Sequence, residues 1–323
     1  MSGFEDLILK DVDWQAEVDE VPPTAGDLQA PEDFADGAWD FLTGVTQKKG
    51  VPMPWQYFNY RLQPGSLNIV LGQSGSGKSH ITMQMMCHAT QDGVMEKPQK
   101  ALLWSAEMQN EALVARFAQL AGGTKQPKRE YFDRILDYMA ERIWIYKRSD
   151  RVTVDELIGI AKFAQRRLGV TMFVIDSLVK IHSPGVNAAN LNLVQTDIAD
   201  KLAIFARDSG MVIILVAHAR KAETERSRVD KFSLKGSGGI SDMASSMIAV
   251  NRNIRKAEVQ KGLTGKMTKD QIDDVLAEPD TFVEVLKERA TGEMPSISLY
   301  YNHATQFVDK ANKTILIKEL ENV

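Results

Sequence analysis

Leu67-Asn-Ile-Val-Leu-Gly72-Gln-Ser-Gly-Ser-Gly77-Lys78-Ser79 decides how the rest of the chain is read. An apolar, strand-sized run enters a glycine-rich turn, and Lys78 and Ser79 then open a segment that continues at helical spacing to Thr90. A strand before the turn and a helix after it turn the pattern Gly-x-x-x-x-Gly-Lys-Ser into a phosphate cradle. Its glycines, Gly72, Gly75 and Gly77, let backbone N–H groups converge on a phosphate. Gln73, Ser74, Ser76 and His80 complete the wall, and the helix N-terminus adds a favourable dipole. Lys78 suits the β and γ oxygens of a nucleoside triphosphate, and Ser79 suits its Mg²⁺.

Working outward, apolar runs alternate with helix-period segments, the pattern of βα units and a mostly parallel sheet. Strands are expected at Leu67 to Leu71, Ala101 to Ser105, Ile143 to Tyr146, Met172 to Asp176 and Met211 to Ala217. Helices are expected at Lys78 to Thr90, Glu107 to Ala121, Val154 to Leu168 and Leu191 to Asp208. In the last of these Val194, Ile198, Leu202 and Phe205 share a face. Further strands, Phe282 to Lys287 and Ser296 to Tyr301, follow a polar helical insert at Thr268 to Ala277.

The strand ends supply the chemistry. Met172-Phe-Val-Ile-Asp176 delivers a carboxylate suited to the Mg²⁺ shell. The next residue, Ser177, is no base, so the acid that orients the attacking water is sought elsewhere. Leu102-Leu-Trp-Ser-Ala-Glu107 places Glu107 after the strand that follows the cradle's helix. The run Met211 to Ala217 ends at His218, a candidate γ-phosphate sensor. The alternatives are a solvated helix-cap glutamate and an ordinary loop histidine.

The chain of 323 residues has a formal net charge of -4, unevenly spread. Between Glu5 and Asp40 twelve acids face a single Lys10, which leaves the remainder basic and compatible with a nucleic-acid partner. Residues 1–45, with Pro22-Pro23, Gly26 and Pro31 among the acids, read as a flexible acidic arm, and residues 46–323 as one domain. The arm's apolar clusters, Phe4/Leu7/Ile8/Leu9 and Phe34/Trp39/Phe41/Leu42, suit docking on the parent domain, on a neighbouring subunit or on another partner. No run reaches the roughly 20 apolar residues of a membrane helix, and no targeting segment is visible. The single Cys87 cannot form an internal disulfide, which points to a reducing cytoplasm.

From about Thr43 to Val308 the ordered motifs resemble the RecA-like motor of hexameric replicative DNA helicases: the DnaB family, the phage primase-helicases and Twinkle. The resemblance is carried by Gly44-Val, Gly50-Val-Pro, Leu62-Gln-Pro-Gly65, the glycine-rich motif, Glu107-Met108 and Val174-Ile-Asp-Ser177. It continues through Lys201 to Gly210, the His218 strand, Lys235-Gly-Ser-Gly-Gly239 and Val285-Leu-Lys-Glu-Arg289-Ala-Thr-Gly292. It implies an α/β, RecA-like P-loop NTPase core with a mostly parallel sheet and C-terminal β-hairpin strands. The cofactors implied are ATP, or another NTP, and Mg²⁺.

The resemblance further implies that Lys287 and Arg289 act in trans on the adjacent subunit's site. Arg252 and Tyr301 match positions that sandwich the base. The loop carrying Arg220, Lys221, Arg226, Arg228, Lys231, Lys235 and Gly236 matches a channel loop that tracks DNA phosphates. The implied protein is a ring, a hexamer, moving 5′ to 3′ on single-stranded DNA during replication. A separate primase, loader or single-strand-binding protein would be a further partner. Three features depart from the pattern: Ile240-Ser-Asp-Met-Ala-Ser245 has serine where aspartate is usual, residues 253–280 are long, and no primase domain or helical N-terminal domain is expected. The competing reading is a recombinase or mediator that coats single strands as a filament and uses ATP as a switch. His218, where recombinases more often have glutamine, and the Lys287 to Gly292 strand weigh against it. A third reading is an NTP-driven regulator without a nucleic-acid ligand.

Overall fold

The computed structural model describes residues 30–148, 151–183, 190–219, 228–230, 233, 238–302 and 305–311. After a short 3-10 turn come helices α1 (Ala35–Leu42) and α2 (Val45–Lys48), then a two-stranded ribbon of β1 (Val51–Pro52) and β2 (Arg61–Leu62). The βα series follows: β3 (Leu67–Gly72), α3 (Lys78–Ala89), β4 (Ala101–Ser105), α4 (Asn110–Gly122), α5 (Arg129–Ala140), β5 (Ile143–Ile145), α6 (Val154–Leu168), β6 (Met172–Asp176), α7 (Leu191–Ser209) and β7 (Val212–His218). The chain closes with α8 (Gly238–Met243), β8 (Ser246–Arg252), α9 (Ile254–Gln260), α10 (Lys269–Ala277), β9 (Thr281–Glu288), β10 (Ser296–Tyr301) and β11 (Phe307–Val308).

Among the described residues nine strands form one sheet in the order β11-β10-β9-β8-β3-β7-β6-β4-β5. The pairs from β8 to β5 are parallel, whereas β9, β10 and β11 join antiparallel. The α/β expectation with a mostly parallel sheet and a C-terminal hairpin describes this architecture. The parallel strands read as unbroken apolar runs because helices cover both faces. Val70, Val174 and Ile214 face one core with Ile81, Met86, Leu113 and Phe117. Ile69, Phe173, Ile175 and Ile213 face the other, with Leu157, Ala161, Ile198 and Leu202.

Local differences from the sequence reading have physical causes. The helix expected from Glu107 begins at Asn110, with extended Gln109 as its N-cap, so Glu107 lies in the β4–α4 turn and not on a helix. The strand expected to end at Ala217 includes His218, which pairs with Gly72, and starts one residue later, at Val212. β5 stops at Ile145, one residue short, although Tyr146 N–H still bonds Leu103 O. β8 and α5 were not expected as elements: β8 is a four-residue apolar run between polar ends, and α5 buries only Ile135, Tyr138 and Met139. Cys87 is buried in the first core, and burial pushes its thiol up to about 12. Among the arm residues described, Trp39 and Leu42 are exposed. No helix among the described residues is long and apolar enough to cross a membrane.

Candidate nucleotide site

Gly77 caps α3 at φ 96° and Gly75 sits at φ 74°, left-handed conformations that an L side chain adopts only at a cost. Gly72 is required for a different reason, close approach: a Cβ there would meet Val250 O at 2.6 Å. The turn closes with Ser76 N–H on Gln73 O at 3.2 Å. Lys78 is buried and folds back over the turn, donating to Gly72 O at 3.0 Å and Gln73 O at 2.8 Å. Burial pulls its ammonium down, opposed by the charges of Asp176 and Glu107.

Asp176 ends β6 at 3 % exposure, with the Ser79 side chain hydrogen-bonded to it and Oδ1 without a hydrogen-bond partner among the described residues. Burial pushes this carboxyl up. A buried carboxylate oxygen lacking a donor beside a serine hydroxyl is the oxygen-only set that a hard cation takes, so the residues present fit Mg²⁺.

Adjacent strands bring the remaining groups to the same edge. β4, β6 and β7 are neighbours, with Ser105 opposite Asp176 and Asp176 opposite Val216. Glu107, Ser177 and His218 therefore converge beyond their C-terminal ends. Glu107 Oε1 accepts from the Ser177 hydroxyl at 2.7 Å and lies 3.0 Å from His218 Nε2, which donates when protonated there. Burial alone would raise the Glu107 carboxyl. The hydrogen bonds from His218 and Ser177, together with the charges of His218 and Lys78, outweigh it and hold the group below its ordinary value. Ser177 is the participant that the sequence reading missed. There it counted only as the absence of an acid, although a hydroxyl directly after Asp176 is the signal that could have found it.

The other expected residues are placed as follows. His80 Nε2 sits 2.8 Å from Thr305 O, and its ring meets Tyr301 and Phe307 edge-on, so β10 and β11 are moored to the cradle's helix through it. Gln84 strengthens the mooring by bonding both Phe307 O and Phe307 N–H. Tyr301 is 45 % exposed beside His80. Arg252, at the end of β8, lines a cleft of about 320 Å³ with Gln73, Ser74, Gly75, Ser76 and residues of α9. Arg228 lines it too, with its guanidinium over Phe282 and paired with Glu284 at 2.9 Å. Its side chain, 58 % exposed, thus lies at the cradle's cleft. Arg220, Lys221, Arg226, Lys231, Lys235 and Gly236 lie outside the described residues.

Lys287 and Arg289 do not join this site. β9 runs antiparallel to β8, pairing Arg252 with Thr281 and Ser246 with Glu288. The end of β9 therefore lies at the opposite edge of the sheet, about 20 Å from the cradle's end at the strand rise. Lys287 Nζ donates to Ser241 O and the Arg289 guanidinium to Asp242 O, the carbonyls at the end of α8.

The AAA domain family matches residues 46–224 of the chain. No curated protein matches. Among solved structures, a DnaB-like replicative helicase, reported with its interactions with primase, aligns at a TM-score of 0.65 and 15% identity, over 87% of this chain and 67% of that one. A second solved structure, an ATPase domain on its own, aligns at a TM-score of 0.67 and 15% identity, over 86% of this chain and 97% of that one. At this identity the two likenesses concern the fold, and that fold is the RecA-like one of helicase ATPase domains. With more than half of its length matched and the nucleotide-binding arrangement described above, the chain belongs to the AAA domain family.

Proposed function

We propose that the chain is the NTP-hydrolysing motor of a ring, a hexamer, that translocates 5′ to 3′ along single-stranded DNA and unwinds duplex during replication. It would act in the cytoplasm of a bacterial or phage-infected cell. The observation that carries the hydrolytic part is Glu107, whose Oε1 is held by both Ser177 and His218 one strand from Asp176. A carboxylate kept ionised and fixed by two partners is suited to orient water and take its proton. Ser79 and Asp176 would hold Mg²⁺, which when bound neutralises phosphate charge. Lys78 exchanges its two carbonyl partners for phosphate oxygens. His218, on the same carboxylate oxygen, ties the state of the γ-phosphate position to β7 and so to the basic segment that follows it. Tyr301 and Arg252, at the ends of β10 and β8, contact the base, and Arg220, Lys221, Arg226, Lys231 and Lys235 of the basic segment after β7 grip DNA phosphates.

The placement of Lys287 and Arg289 at the far edge of the sheet supports action in trans, because neither reaches the cradle of its own chain. A guanidinium from a neighbour at the transferred phosphoryl group raises turnover roughly 10³-fold or more.

The test is the steady-state ATP hydrolysis rate with and without single-stranded DNA, for the wild type and for Glu107→Gln. We expect strong stimulation by DNA, and loss of turnover of about 10²-fold or more in the variant while nucleotide still binds. A DNA-independent rate would overturn the translocase reading. A forked substrate then separates steady strand displacement, expected here, from the static binding of a filament.

A further inference from the structure

Tyr60, next to the β1–β2 ribbon, and Glu288, the last residue of β9, are 228 residues apart, and the tyrosine hydroxyl donates to the glutamate carboxylate. The second carboxylate oxygen, Oε1, accepts the Ala290 N–H at 3.0 Å. The Ser246 side chain, on the β8 residue opposite Glu288, lies beside the Tyr60 hydroxyl. Ser246 in turn donates to Asn68 Oδ1 at 2.7 Å. Asn68 lies on β3, the strand that leads into the phosphate cradle, and its amide donates to Ser66 and to Ile213 O. Tyr60, Asn68 and Ser246 are all buried. A row of buried polar side chains therefore lies between the cradle's strand and the end of β9.

We propose that Tyr60 and Glu288 are positioning residues for Lys287 and Arg289, an inference that rests on the trans reading above. Side chains alternate along a strand, so Glu288 points to the face opposite its two neighbours. Its carboxylate is clamped by the buried hydroxyl on one oxygen and by the Ala290 N–H beyond Arg289 on the other. The two cations are thereby fixed on the α8 side, where they bond the Ser241 and Asp242 carbonyls. Strand ends fray unless tied, and the register shift between Met247 and Ile248 already weakens the ladder here. The Arg289 N–H still bonds Ser245 O at 3.0 Å, and the Tyr60 hydroxyl adds a side-chain tie to this end of the strand. Tyr60 packs in one aromatic group with Phe58, which in turn meets Trp55. The segment leading out of the N-terminal arm therefore sets the pose of the cations offered to the next subunit.

The experiment mixes two full-length chains that are each inactive. Glu107→Gln subunits offer Lys287 and Arg289 but do not hydrolyse, whereas Arg289→Ala subunits retain their own site but offer no guanidinium. Mixing restores turnover at interfaces that pair one with the other. Adding Tyr60→Phe to the Glu107→Gln chain should lower the restored turnover about fivefold or more, with the KM for ATP within about twofold, because the trans guanidinium acts on the transition state. Adding Tyr60→Phe to the Arg289→Ala chain should leave the restored rate unchanged. Glu288→Gln, which keeps the shape and loses one of the two acceptors, repeats the comparison should Tyr60→Phe lower the melting temperature. Equal loss on either chain, or loss on neither, overturns the positioning role and leaves the trans reading standing. Absence of any restored turnover in the parent mixture overturns the trans reading and this proposal together.

Discussion

Single residues here are constrained by two distinct demands, backbone conformation and space, and the glycines of the cradle separate them. Gly75 is at φ 74° with nothing among the described residues within 4 Å of where a Cβ would be, so Gly75→Ala meets conformational strain there, about 1–2 kcal/mol. Gly72→Ala drives a methyl group against Val250 O and Ser76 Oγ, forcing the cradle away from β8. It should cost about 1–3 kcal/mol in unfolding free energy and weaken nucleotide binding about tenfold or more, read by urea unfolding and by titration of a fluorescent nucleotide. Equal effects of the two substitutions would show that the Val250 contact is unimportant. The importance of Gly72, Lys78 and Ser79 was legible from spacing alone, because a phosphate cradle is built from consecutive residues. The contribution of Ser177 was not, since its value comes from a carboxylate 70 positions away.

At the scale of elements, the connection between β8 and β9 illustrates how an insert is anchored. α9 is capped by Asn253, whose Oδ1 accepts the Lys256 N–H and whose amide donates to Glu278 and Pro279. The Lys256 ammonium is buried between Glu278 O at 2.6 Å and Asp280 at 3.0 Å. Asp280 Oδ2 also accepts the Tyr301 N–H, so the insert and the end of β10 share one carboxylate. Lys256→Met leaves that carboxylate without its cation. It should destabilise the fold by about 1.5–3 kcal/mol, the range for a hydrogen bond to a charged group, and raise the KM for ATP through Tyr301. Thermal unfolding and initial-rate kinetics report the two effects, and an unchanged KM would detach Tyr301 from the base. Composition and helical period made α10 visible, capped as it is by Thr268. α9 was not visible, because its seven residues are held by contacts across the insert and not by a periodic apolar face.

For the whole molecule, acid should be destabilising in a defined window. Burial pulls the imidazoles of His80 and His88 down to about 4, from an ordinary value of 6.5. Above about pH 6.5 both are neutral whether folded or unfolded, and they add no pH dependence. Between pH 6.5 and 4 only the unfolded chain takes up the protons, so stability falls by at most about 1.4 kcal/mol per pH unit for each histidine. Urea unfolding at pH 7.5, 6 and 5 measures this loss, and His88→Gln should flatten the slope. A slope identical to the wild type would show that His88 is not desolvated. The sequence by itself determined the α/β class, the parallel strands and the cradle, because these follow from local periodicity, glycine chemistry and contiguous motifs. Only the tertiary structure decided that Glu107, Ser177 and His218 share one oxygen, that Lys287 and Arg289 sit at the far edge of the sheet, and that Tyr60 grips Glu288. Those relations depend on strand order and direction, set by the burial of both sheet faces at once, and no single segment of the chain carries that information.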